Sequence, residues 1–134
     1  ETSIDLLGFS MGGVISRIWM QKMSGALRTK KFLSIGTPHF GTTTAQLVPR
    51  FFLPGVADMK RDSYLLRDLN SSLELLKTVK CISFFCKWDL MVFPGWQAVL
   101  PIGDCYSVPV LTHKDLIRKR QSLELIAHEI VSDL

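Results

Sequence analysis

Leu6-Leu7-Gly8-Phe9-Ser10-Met11-Gly12-Gly13-Val14 changes its hydrophobic period in mid-course. Residues 2–7 are rich in strand formers and end at Gly8, which reads as a short buried strand entering a turn. From Met11 onward, apolar side chains recur at 14, 15, 18, 19 and 23, the spacing of one helical face, and Gly25 supplies a stop. That face is expected in the core. The junction, Gly8-Phe9-Ser10-Met11-Gly12, is a G-x-S-x-G pentapeptide followed by another glycine at 13. Three fixed positions can arise by chance, but a strand-to-helix junction gives the pattern a mechanism. A strained turn lifts the serine hydroxyl clear, and glycines on either side avoid a Cβ collision between strand and helix. The helix N-terminus below Ser10 also aims N–H groups at the place where an oxyanion would form, with the Met11 amide as the expected donor.

Further strands follow at intervals filled by helical patterns. Residues 31–35 read as a second strand closed by Gly36-Thr37-Pro38, and residues 79–86 as a third, followed by Lys87-Trp88-Asp89. A weaker run at 105–111 contains Pro109, which donates no ladder hydrogen bond and so points to an edge position or an early end. Residues 116–134 read as an amphipathic closing helix with Leu123, Ile126, Ala127, Ile130, Val131 and Leu134 on its buried face. Strands alternating with helices, without Asn-Gly hairpin turns, predict an α/β fold with a mostly parallel sheet and crossover helices. About forty residues separate the second and third strands, more than a crossover needs. Tyr64, Leu65, Leu66 and Leu69 form a helical stripe there, whereas Phe51-Phe52-Leu53-Pro54-Gly55 is apolar and turn-rich. Residues 38–78 are therefore expected to form a cap or lid-like insertion within a single domain.

A serine hydroxyl is a weak nucleophile until a base takes its proton and a carboxylate orients that base. The chain has three histidines. His113 falls between the last strand and the closing helix, where a base can hang over the C-terminal edge of a parallel sheet. His39 follows the second strand and His128 lies in mid-helix; these are the alternatives. Asp89 follows the third strand on that same edge, whereas its rival Asp104 precedes the weak strand and belongs to the opposite edge. The order Ser10, Asp89, His113 is that of α/β-hydrolases.

Composition narrows the classes. The chain has 134 residues, 47% hydrophobic and 21% charged, enough for a packed core and too apolar for disorder. Its apolar runs fall far short of the roughly 18 residues of a membrane-spanning helix. The net charge of +4 is dispersed, with clusters at Arg118-Lys119-Arg120 and at Arg28, Lys30 and Lys31. No zinc spacing or RNA-binding signature accompanies them, so they read as solvated surface and no nucleic acid is expected as a partner. No G-x-G-x-x-G or P-loop is present, and no cofactor is expected. Cys81 and Cys86 face opposite sides of one strand, a Cys86–Cys105 bridge is conceivable, and buried thiols are the expected state. The sequence opens directly on a strand without a basic-then-apolar leader, which reads as an interior start within a longer protein.

Four runs, Gly8-Phe9-Ser10-Met11-Gly12-Gly13, Ser34-Ile35-Gly36-Thr37-Pro38-His39-Phe40-Gly41-Thr42, Asp89-Leu90-Met91-Val92 and His113-Lys114-Asp115, together resemble the bacterial triacylglycerol lipases and related esterases of the α/β-hydrolase fold. The Thr-Pro-His-x-Gly segment is the more specific signature, and the landmarks cover nearly the whole chain, with residues 43–78 matching loosely. The resemblance implies Ser10 as nucleophile, Asp89 as orienting acid, His113 as general base and Met11 as oxyanion donor. It implies that residues 36–41, including Pro38, His39 and Phe40, line the acyl site along with Phe9. Phe51 and Phe52 suit an apolar ester or lipid surface.

Two departures matter. In that family the nucleophile follows the fifth strand of eight, and a loop after the third strand supplies a second oxyanion donor; this sequence opens at the equivalent of the fifth strand. Weak activity of the chain alone is expected, because one missing donor costs about a hundred- to thousandfold. An exposed first strand also invites a homodimer or pairing with an N-terminal half. Asp115 matches the position of a calcium ligand in some relatives, but the Arg118-Lys119-Arg120 run opposes a divalent ion, and no metal is expected.

Overall fold

The computed structural model describes residues 2–44 and 58–132. The chain runs β1 (Ile4–Phe9), α1 (Met11–Lys22), β2 (Thr29–Ile35), α2 (Tyr64–Asn70), β3 (Lys80–Phe85), β4 (Asp104–Ser107) and α3 (Arg120–Val131). Short 3₁₀ turns precede β2, β3 and α3 and fill the β3–β4 connection. The strands form one sheet in the order β1-β2-β3-β4, every pairing parallel. This is the α/β architecture the alternation predicts. The weak run becomes β4, an edge strand among the described residues, and it stops at Ser107, two residues before Pro109.

Side chains alternating along the strands feed two cores. Phe32 and Cys81 pack with Met20 of α1 and with Leu76 and Leu100. Their neighbours Leu33, Ile35, Ile82 and Phe84 pack on the other face with Val108, Leu116 and Ile126 of α3. Phe84 and Tyr106, opposite each other in the β3–β4 register, stack at 5.3 Å. Covering both faces explains why β2 and β3 carry buried side chains at consecutive positions. Leu66 and Leu69 of α2 close a third cluster against Val14 of α1. Tyr64, expected in that stripe, is exposed. The expected cap lies partly outside the described residues, since residues 45–57 and with them Phe51 and Phe52 are not described.

Helix faces depart from the apolar reading. In α1 the buried side is Gly13, Val14, Arg17, Met20 and Gln21, while Ile15 and Met23 are exposed. In α3 the buried residues are Ser122, Ile126 and Glu129, so of the predicted face only Ile126 is buried; Leu123, Ala127, Ile130 and Val131 are exposed, and Leu134 lies outside the described residues. Polar partners turn these helices. Ser122 Oγ donates to the Leu116 carbonyl, and Tyr106 donates its hydroxyl to Glu129. Lys31, expected among solvated cations, is buried and its Nζ donates to the carbonyls of Glu129 and Ile130 at the end of α3. That is the end of a helix where a cation is favoured.

Candidate active site

Each of the four strands delivers one piece of the site at the sheet's C-terminal edge. Ser10 follows β1, the Gly36 turn follows β2, Asp89 lies beyond β3, and His113 beyond β4. Ser10 has φ 54° and ψ −124°, a conformation that costs a non-glycine residue roughly 1–3 kcal/mol. Its N–H donates to the Ile35 carbonyl at 2.8 Å, which fixes the turn against the end of β2. A serine at a helix N-cap ordinarily accepts from an amide of the first turn. Ser10, a half-buried residue, makes no such bond, and its hydroxyl has no hydrogen-bond partner among the described residues. The Met11 N–H, at the first helical position, has no acceptor within the helix.

The glycines divide the steric work differently from the G-x-S-x-G reading. A Cβ on Gly8 would stand 2.6 Å from Gly13 Cα, and one on Gly13 would stand 2.0 Å from Thr37 Oγ1. A Cβ on Gly12 meets nothing within 4 Å. The expectation for Gly12 is thus corrected: the close strand–helix approach depends on Gly8 and Gly13. Gly36 is required twice, by its φ of +54° and because a Cβ there would sit 3.0 Å from His113 Cε1.

His113 Nδ1 donates to Asp89 Oδ2 at 2.7 Å, and both side chains are buried. Asp89 Oδ1 accepts from the amides of Met91 and Val92, each at 2.9 Å, so the carboxylate is held at both oxygens. This arrangement puts the Nδ1 proton toward Asp89 and leaves Nε2 as the basic nitrogen. The imidazole packs over Gly36 and lies 4.8 Å from the Phe9 ring, centroid to centroid. It therefore stands against the residue preceding Ser10. No hydrogen bond joins Ser10 to His113 among the described residues.

The turn bearing His113 is closed by a reciprocal pair. Thr112 N–H donates to Asp115 Oδ2, and Asp115 N–H donates to Thr112 Oγ1, both at 3.2 Å. This is a capping box, and its Thr-x-x-Asp spacing was open to reading from the sequence. Asp115 thus has a local use. Among the described residues, no three His, Cys, Asp or Glu side chains gather to hold a metal ion.

His39 lies inside. It is fully buried, with Nε2 on Ser34 Oγ at 2.8 Å and Nδ1 facing an Arg17 guanidinium nitrogen at 3.3 Å. Arg17 also donates to Gln21 Oε1 and Asn70 Oδ1, and Asn70 donates to the His39 carbonyl. Burial first, and then the Arg17 charge, hold the His39 pKa well below 6.5. Burial lowers that of Arg17 to about 10. Pro38 is buried as well, so of the loop residues expected to touch substrate only Phe40 reaches the surface. Phe9 is half-buried and Met11 exposed. The sequence reading missed this network because Arg17 and Gln21 look outward-facing in a helical pattern.

Other candidates lie away from the site. Asp104 begins β4 at the opposite edge, and the His128 side chain is 77% exposed. All three cysteines are free thiols; Cys105 is exposed, contrary to the expectation of burial. Burial, followed by the charges of Asp89 and Asp115, raises Cys86 to about 11.

Solved lipases share this fold. The mature Bacillus licheniformis lipase BlEst2 superposes with a TM-score of 0.76 at 14% identity, over 94% of this chain and 64% of that one. Aspergillus fumigatus lipase B gives 0.68 at 19% identity, over 87% of this chain and 34% of that one. The propeptide form of BlEst2 gives 0.74 at 12% identity, over 95% and 35%. The chain therefore has a lipase-like α/β-hydrolase fold and spans between about a third and two thirds of the length of these structures. No protein-family model and no curated protein sequence matches it.

Proposed function

We propose that the chain carries the nucleophile, base and acid of a serine ester hydrolase, a lipase or carboxylesterase acting on acylglycerols or similar apolar esters. The observation that carries this reading is the buried 2.7 Å contact of Asp89 with His113, whose ring packs on Phe9, the residue before a serine on a positive-φ turn. His113 Nε2 takes the Ser10 hydroxyl proton as Oγ bonds to the ester carbonyl carbon. The carbonyl oxygen becomes an oxyanion facing the Met11 N–H. His113 returns the proton to the alkoxy oxygen, the C–O bond breaks, and the acyl group remains on Ser10. Water, deprotonated by the same nitrogen, then releases the acid and restores Ser10. Asp89 holds the imidazole in the required tautomer throughout.

Phe9 and Phe40 would wall the apolar substrate. A thioesterase or phospholipase would use the same steps. One observation favours a non-catalytic binding module instead: β1 pairs on one side only among the described residues, leaving Ile4 and Leu7 exposed. A second copy or an upstream segment pairing there would complete the sheet and could bring a second oxyanion donor. The test is a fluorophosphonate probe with the adduct located by peptide mass spectrometry, on the chain alone and with an upstream hydrolase segment. A Ser10 adduct supports the enzyme; none in either sample of folded chain supports the binding module.

A further inference from the structure

Three successive amides line the turn that carries the acid. Those of Met91 and Val92 donate to Asp89 Oδ1, and that of Phe93 donates to Thr42 Oγ1, each at 2.9 Å. Of residues 90–93 only Val92 is buried, so hydrogen bonds fix this turn more than packing does. Thr42 lies just beyond the loop expected to line the acyl site and is itself buried. Its hydroxyl is fully used: it accepts from the amides of Phe93 and Thr44 and donates to the Phe93 carbonyl at 3.4 Å. The Thr43 N–H donates to the same carbonyl at 2.9 Å, and the Thr42 N–H donates to the Met59 carbonyl at 2.9 Å, which secures the residue from its other side.

We infer that Thr42 is a positioning residue: by holding the amide and carbonyl of Phe93 it sets the place of the two preceding amides, and through them the direction in which Asp89 meets His113. The role rests on the hydrolase reading above and deepens it. Asp89 Oδ2 accepts from His113, and the carboxylate's other side-chain bonds among the described residues are to the turn itself, so a shift of the turn passes to the imidazole. A displacement of about 1 Å at a catalytic group can cost about a hundredfold in rate. Thr42 makes no hydrogen bond to Ser10 or His113 among the described residues, so its effect runs through Asp89.

Thr42→Val removes the acceptor while keeping the shape of the side chain, and Thr42→Ser keeps the hydroxyl. Fluorophosphonate labelling of Ser10 at pH 7 should slow by about ten- to a hundredfold in Thr42→Val and stay within a few-fold in Thr42→Ser. In an Asp89→Asn background, where the productive tautomer is already lost, Thr42→Val should change the rate by less than about twofold, because both residues act through one contact. Imidazole nitrogen NMR shifts give a readout independent of activity. His113 should show the Nδ1–H form in the parent chain and in Thr42→Ser, and a mixture with the Nε2–H form in Thr42→Val. Thr42→Ala removes the same acceptor with less bulk and is expected to match Thr42→Val in both measurements. No loss of rate in Thr42→Val, an equal loss in both backgrounds, an equal loss in Thr42→Ser, or an unchanged His113 tautomer in Thr42→Val overturns the role. No Ser10 label in the parent chain overturns the hydrolase reading, and the His113 tautomer in Thr42→Val then decides whether Thr42 aims Asp89.

Discussion

Asp89 and His113 meet across the ends of two adjacent parallel strands, Oδ2 accepting from Nδ1 at 2.7 Å while the other carboxylate oxygen accepts from the amides of Met91 and Val92. A carboxylate anchored in this way cannot swing away from the ring without breaking buried hydrogen bonds. Replacing it by an amide keeps the shape but can present N–H to Nδ1, which favours the wrong tautomer. Asp89→Asn should slow phosphonylation of Ser10 by about 10³–10⁴-fold at pH 7. A loss of less than tenfold in folded protein would mean that Asp89 does not orient the base.

The steric map separates three neighbouring glycines. Gly13→Ala and Gly8→Ala place a methyl group within 2.0 Å and 2.6 Å of other atoms and should destabilise the chain by about 1–3 kcal/mol or more. Gly12→Ala, with open space around its Cβ, should instead stabilise α1 by about 0.5–1 kcal/mol. Urea midpoints of the three variants check the order.

Acid should destabilise the fold through His39. In the unfolded chain its imidazole binds a proton near pH 6.5, whereas in the fold it stays neutral to a much lower pH. Between those values the unfolded state holds more protons, so stability falls as pH drops below about 6.5. The slope is at most about 1.4 kcal/mol per pH unit for this one group, and it vanishes above pH 7.5. His39→Gln, which does not titrate, should flatten the dependence of the urea midpoint between pH 7.5 and 5. An unchanged slope would contradict the assignment.

Asp115 should act locally. Asp115→Ala removes one half of the Thr112–Asp115 capping box and should cost about 1 kcal/mol in thermal stability, with Asp115→Asn recovering part of it. Calcium or a chelator should leave the melting temperature of the parent chain unchanged. A calcium-dependent rise lost in Asp115→Asn would show a metal role instead.

Where the candidate residues stand in the fold could largely be read from the sequence because the signals are local. Ser10 is marked by a change of hydrophobic period at a glycine-rich junction, and Asp89 and His113 each follow a strand on the edge where parallel sheets collect ligands. The helix faces were harder because the rule that apolar residues face inward fails where a polar group finds buried partners. Arg17 is fully buried because Gln21, His39 and Asn70 receive its donors, and Lys31 because α3 ends on it. Those partners are 22 to 99 residues away, apart from Gln21, and no periodicity in one segment announces them. Nor does any pattern in the sequence announce that Trp88, Leu90, Met91 and Leu111 are left exposed by the fold.

Activation of Ser10 by His113 is measured most directly by the rate of Ser10 phosphonylation. His128→Ala, at an exposed position, serves as the control. The expected result is an adduct on Ser10 whose rate of formation falls by at least about a thousandfold in His113→Ala and stays within a few-fold in His128→Ala. Equal rates in the parent chain and His113→Ala, with both shown to be folded, would contradict it.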